Sequence, residues 1–186
     1  MLIDQERNSK NKVGDNMSAL YIITGPAGVG KSTISKKIAE SKTKSALIEG
    51  DEIYQQVVGS YVSAWKEGNH LDTFLKVCIN SIKIYLEDGS DVVFNYIISP
   101  DQLEEIKNSI KDCDIKFVVL LVNEETILKR DKERPEDCQM NERCIILLNS
   151  FNDEYKNSDN ILDTSNLSID ETVDKIEKEK RFLLKR

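Results

Sequence analysis

The chain has 186 residues, 39% of them hydrophobic, which suits one domain with a proper core. Its formal charge of −7 argues against a nucleic-acid surface, which needs a basic stripe. No apolar stretch approaches the roughly 18 residues needed to cross a membrane, and the polar start offers no apolar segment for a signal peptide. Four cysteines, Cys78, Cys113, Cys138 and Cys144, form no C-x-x-C pair and point to free thiols in a cytoplasmic protein. Cys138 and Cys144 read as small apolar side chains near a helix rather than as a metal site.

Residues 1–17 read as a flexible N-terminal extension, and 18–186 as a single domain. The first predicted strand is the apolar run at 19–23, and a helix follows from Ser32 with Ile34 and Ile38 at helical spacing. Between them lies Gly25-Pro-Ala27-Gly28-Val29-Gly30-Lys31-Ser32, followed by Thr33, a full match to the phosphate-loop pattern G-x-x-x-x-G-K-[ST]. Glycines let the backbone wrap closely around phosphate oxygens, and the helix start points N–H groups and a positive dipole end at one place. Lys31 is expected to reach the β- and γ-phosphates, and the Ser32 hydroxyl to ligate Mg²⁺.

A second strand at 45–49 ends at Gly50-Asp51, beside the phosphate loop. A mostly helical stretch from 52 to 87 follows, interrupted near Gly59 and Gly68, and a third strand is expected over 91–98. Pro100 opens a helix to about 111, the most apolar run at 115–122 is a central strand, and helices are expected over 124–130 and 143–152. A last strand at 160–163 leads through a turn to a helix with Ser168 as N-cap and Glu171 completing a capping box. This alternation predicts an α/β domain, a five-stranded parallel sheet flanked by helices. Ligands in such sheets sit beyond the carboxyl ends of the strands, which gathers the phosphate loop, Asp51, Asn95, Tyr96, Asn123 and 164–166 around one crevice.

Asp51 is placed to take a proton from a hydroxyl nucleophile or to hold Mg²⁺, and also to cap the helix after it. The six arginines leave the span between Arg7 and Arg130 empty and cluster as Arg130, Arg134 and Arg143. A planar guanidinium suits phosphate oxygens, so 130–143 reads as a lid; a solvated helix surface with pairs such as Arg130 and Glu133 is the plain alternative. The region at about 52–88 should wall the acceptor pocket, with Trp65 as a stacking candidate although a lone Trp is more often core. His70 reads as surface.

The phosphate loop, Gly50-Asp51, Arg130 and Arg134-Pro135, and Leu162-Asp-Thr-Ser165-Asn166 occur in an order that resembles the small P-loop kinases related to shikimate kinase, gluconate kinase and chloramphenicol phosphotransferase. The resemblance implies a core, a lid and a substrate-binding region, with ATP and Mg²⁺ as cofactors. It implies Arg130 on the adenine or a phosphate, Arg134 as the lid arginine, Ser165 and Asn166 at the adenine border, and Asp51 at the acceptor hydroxyl. The chain departs from the group in lacking any arginine between 52 and 88, which disfavours an anionic acceptor. Asn95 stands where a second acidic metal residue is usual, leaving Mg²⁺ to Ser32, Asp51, the nucleotide and water. The expected activity is phosphoryl transfer from ATP to the hydroxyl of a small molecule, with Lys31, Asp51 and Arg134 catalytic and Asp51, Trp65, Asn95 and Tyr96 at the acceptor. A nucleoside or nucleotide kinase, or an ATP-binding switch with slow hydrolysis, are the alternatives. The protein is expected as a monomer or homodimer, without nucleic-acid or membrane partners.

Overall fold

Strand β1, Ala19–Thr24, is buried from Leu20 onward because it lies in the middle of the sheet and meets helices on both faces. The computed structural model describes residues 18–111, 113–136 and 139–185; the expected extension at 1–17 and Cys138 lie outside them. The other strands are β2 (Ser45–Glu49), β3 (Asp91–Asn95), β4 (Asp114–Leu121) and β5 (Ile161–Asp163). They pair in the order β2-β3-β1-β4-β5, and all four ladders are parallel. Around them pack α1 (Lys31–Glu40), α2 (Gly50–Tyr54), α3 (Leu71–Glu87), α4 (Pro100–Ser109), α5 (Glu124–Lys132), α6 (Glu142–Tyr155) and α7 (Ile169–Lys178). Among the described residues no helix is long and apolar enough to cross a membrane.

Local chemistry explains where these elements begin. Ser99 and Gln102 form a capping box with Pro100 in the first turn of α4, and Ser168 with Glu171 forms the expected one on α7. Helix α1 buries Ile34, Ser35, Ile38 and Ala39, the i, i+4 stripe that seats it on the sheet.

Four expectations change. Strand β2, expected to end beside the phosphate loop, is an edge strand separated from β1 by β3: β3 buries Val92, Val93 and Phe94 between them, while β2 exposes Ser45 and Leu47. Strand β3 stops at Asn95 instead of 98, because the Ile98 N–H donates to the Thr24 hydroxyl at 2.9 Å and leaves the ladder. The stretch 52–87 is helical only at its two ends. Residues 55–70 form a loop whose path is held by Tyr54, its hydroxyl donating to the Val62 carbonyl at 2.7 Å and accepting the His70 N–H at 3.3 Å. Asp51 does not cap α2, since the helix already starts at Gly50 with Glu49 before it and no side-chain cap bond.

Candidate phosphoryl-transfer site

The phosphate loop runs from the end of β1 into α1 at the carboxyl edge of the sheet. Gly25 is required there, because a Cβ would stand 2.3 Å from the Leu120 carbonyl oxygen of β4 at a φ of 144°. The Lys31 ammonium curls back on the loop, donating to the carbonyls of Gly25 at 2.9 Å and Pro26 at 3.1 Å. Burial lowers its pKa to about 8; Asp51 opposes that fall, Arg134 adds to it and Glu49 opposes it. The residues that act on Lys31 through their charge thus come from α2, from the segment after α5 and from β2. Asp51 and Arg134, two of the three predicted catalytic side chains, converge electrostatically on Lys31, the third.

Arg130 has a different task from a solvated surface arginine. Its Nη1 donates to the Val29 carbonyl at 2.8 Å, so α5 pins the phosphate loop from across the cleft. Beside this bond lies a cleft of about 320 Å³ lined by Gly28, Gly30, Thr33, Arg130, Thr164 and Leu167, among others. That cleft suits the nucleoside end of a nucleotide bound in the loop. Ser165 and Asn166 lie in the chain between two of its lining residues, Thr164 and Leu167. Ser165 links two segments here, its hydroxyl accepting the Asn123 N–H at 2.8 Å and donating to Asp163 at 2.5 Å. Asn123 caps α5 through the Thr126 N–H.

Glu49 is the residue that sequence reasoning missed. The Ser32 hydroxyl donates to its Oε2 at 3.1 Å. The last residue of β2 is therefore the acid beside the phosphate-loop serine, and the expected metal partner, Asp51, lies two residues further on. The available signal is its place as the last residue of the predicted strand 45–49, whose carboxyl end faces the crevice. A hydroxyl and a carboxylate are hard oxygen donors that fit Mg²⁺, which takes one or two protein ligands and completes its shell with phosphate and water. Among the described residues no group of three or more His, Cys, Asp or Glu side chains converges into a closed cage. Register places Asn95 between Ile23 and Glu49. It is 3% exposed, and its Nδ2 has no hydrogen-bond partner, a buried donor in line with the site.

On the acceptor side, Tyr96 is buried with its ring packed on Gly50 so closely that a Cβ there would lie 2.6 Å from the ring. Burial, with Asp51 nearby, pushes the Tyr96 phenol pKa up. The rings of Phe74 and Tyr96 are 4.4 Å apart and those of Tyr54 and Phe74 5.6 Å apart, a row of aromatics behind Asp51. Trp65 is not core: it is 64% exposed, and the Arg143 guanidinium lies 3.9 Å above its ring. The fold thus brings an arginine to a region whose own sequence has none. His70 is half-buried, with Nε2 3.0 Å from the Ser60 carbonyl oxygen.

Solved structures share this architecture. The tunicamycin resistance protein of Deinococcus radiodurans is similar with a TM-score of 0.63 at 18% identity, over 86% of this chain and 93% of its own. A gluconokinase from Sinorhizobium meliloti gives 0.61 at 16%, over 86% and 90%. A shikimate kinase from Bacteroides thetaiotaomicron gives 0.62 at 17%, over 86% and 97%. At such identities the likeness is one of fold: the five-stranded parallel sheet of P-loop kinases. No curated protein matches the chain. The AAA domain family (AAA_18) matches residues 22–157, a span that runs from β1 through α6 and takes in the phosphate loop, Glu49, Asp51 and Arg134. The chain belongs to that family of P-loop proteins.

Proposed function

We propose that this protein is an ATP-dependent phosphotransferase that moves the γ-phosphoryl group to a hydroxyl of a small molecule. The observation that carries the reading is a complete phosphate loop whose buried Lys31 donates to the loop carbonyls and feels the charges of both Asp51 and Arg134. The loop N–H groups and Lys31 would hold the β- and γ-phosphates, and Arg134 would offset the negative charge that develops on the transferring group. Asp51 would orient the acceptor hydroxyl and take its proton as the new O–P bond forms. Ser32 and Glu49 would hold Mg²⁺, which would supply positive charge to offset that of the phosphates. Asn95, Tyr96 and Trp65 border the acceptor side, and Arg130 with 164–166 borders the nucleoside. A chain with a net charge of −7 favours a small acceptor over a polynucleotide.

The test is ADP release with Mg²⁺ and ATP across a library of hydroxyl metabolites, nucleosides and antibiotics. An acceptor that stimulates release above background supports transfer, and Asp51→Asn should then abolish it with ATP affinity nearly intact. Slow ATP loss indifferent to every acceptor would replace this reading with a nucleotide-dependent switch.

A further inference from the structure

Asp131, at the end of α5, is 3% exposed and satisfies three groups at once. Its oxygens accept the Met140 N–H, both at 3.0 Å, and the Asn141 N–H at 2.7 Å. Oδ1 also lies 3.4 Å from Nη1 of Arg134. Burial works to raise its pKa, but the two backbone N–H groups and Arg134 together hold the carboxyl below the usual range. Asn141 takes a φ of 50°, an uncommon conformation for a residue other than glycine, at the entry to α6. The bond from its N–H to Asp131 helps to fix that entry. Two residues later Arg143 stacks on Trp65, and among the described residues no ion pair or side-chain hydrogen bond engages its guanidinium. The ring is thus the contact seen for that guanidinium among the described residues.

We infer that Asp131 and Arg143 are positioning residues: Asp131 sets Arg134 and the start of α6 as one unit, and Arg143 ties that unit through Trp65 to the acceptor-side loop 55–70. The consequence rests on the kinase reading, because Arg134 then stands at the phosphates only while the acceptor loop is in place. The physical link does not depend on it.

Trp65 is the only tryptophan of the chain, so its emission reports on the link directly. Trp65 is already 64% exposed, so in the ligand-free protein Asp131→Asn should raise its acrylamide quenching by up to about one half, although residue 131 is not in the stack. Arg143→Ala should do the same, with Arg143→Lys restoring part of the protection. Asp131→Glu keeps the charge, moves the oxygens by one methylene and should also raise quenching, which decides the matter if Asp131→Asn is too unstable to purify. Quenching at the wild-type level in the folded Asp131 variants would overturn the link. A second arm adds AMP-PNP with Mg²⁺ and reads affinity by calorimetry beside the emission. Wild type should shift its emission on binding and Arg143→Ala should not, its affinity staying within about threefold. Binding without an emission change in wild type would overturn the coupling. Absence of binding would count against the nucleotide reading alone, with the quenching arm still deciding the link.

Discussion

Raising the pH should loosen the grip on nucleotide, and Lys31 sets where that happens. Its ammonium is lowered to about 8 chiefly by burial, with Asp51 and Glu49 resisting and Arg134 assisting. A polyphosphate beside that nitrogen favours the charged form, so binding draws a proton from solvent whenever Lys31 starts neutral. With a midpoint of about 8, Lys31 is roughly one tenth neutral at pH 7 and roughly nine tenths neutral at pH 9. The Kd for Mg·ATP should therefore rise about tenfold between those two values, and binding near the midpoint should take up about half a proton. Calorimetry in buffers of different ionisation enthalpy measures both quantities. Lys31→Arg stays charged throughout and should show neither. A Kd that is flat from pH 7 to 9, with no proton uptake near the midpoint, would refute the reasoning, because Lys31 would then be fully charged before the nucleotide arrives.

Three further outcomes follow from single contacts. Gly50→Ala puts a Cβ 2.6 Å from the Tyr96 ring, and should cost about 1–3 kcal/mol in denaturant melts; turnover should fall more than ATP affinity, because Asp51 is the next residue. Thr24→Val removes the acceptor of the buried Ile98 N–H and should cost about 1–3 kcal/mol, read as a lower melting temperature. Glu49→Gln should raise the Mg²⁺ concentration for half-maximal turnover about tenfold, while nucleotide binding in EDTA changes little at pH 7, where Lys31 is mostly charged.

The phosphate loop was legible because its chemistry is local: Gly25, Lys31 and Ser32 do their work within one strand–turn–helix. The capping box of α7 and the alternation of strands and helices were legible for the same reason. Glu49 was not, because its meeting with Ser32 depends on how far β2 runs before α2 begins, and one residue of register changes which side chain faces the loop. The place of β2 at the sheet edge was hidden because adjacency among parallel strands is set by the packing of whole crossovers. The loop at 55–70 read as helical from its spacing, but its path is decided by the Tyr54 hydroxyl, a contact that no periodicity encodes. Trp65 and Arg143 lie far apart in the chain, and only the folded arrangement of α6 brings them together.

The central strand also has a consequence for how the chain is made. On the ribosome β1 emerges early, yet its partners β3 and β4 come much later, and the guanidinium that pins the phosphate loop belongs to Arg130. A nascent chain that has released the complete glycine motif still lacks the Leu120 carbonyl against which Gly25 packs and the donor for Val29. Nucleotide is therefore a poor ligand for steadying the first half during synthesis. The loop has its full set of supports only once α5 has left the exit tunnel, so the early chain must bridge that interval without them.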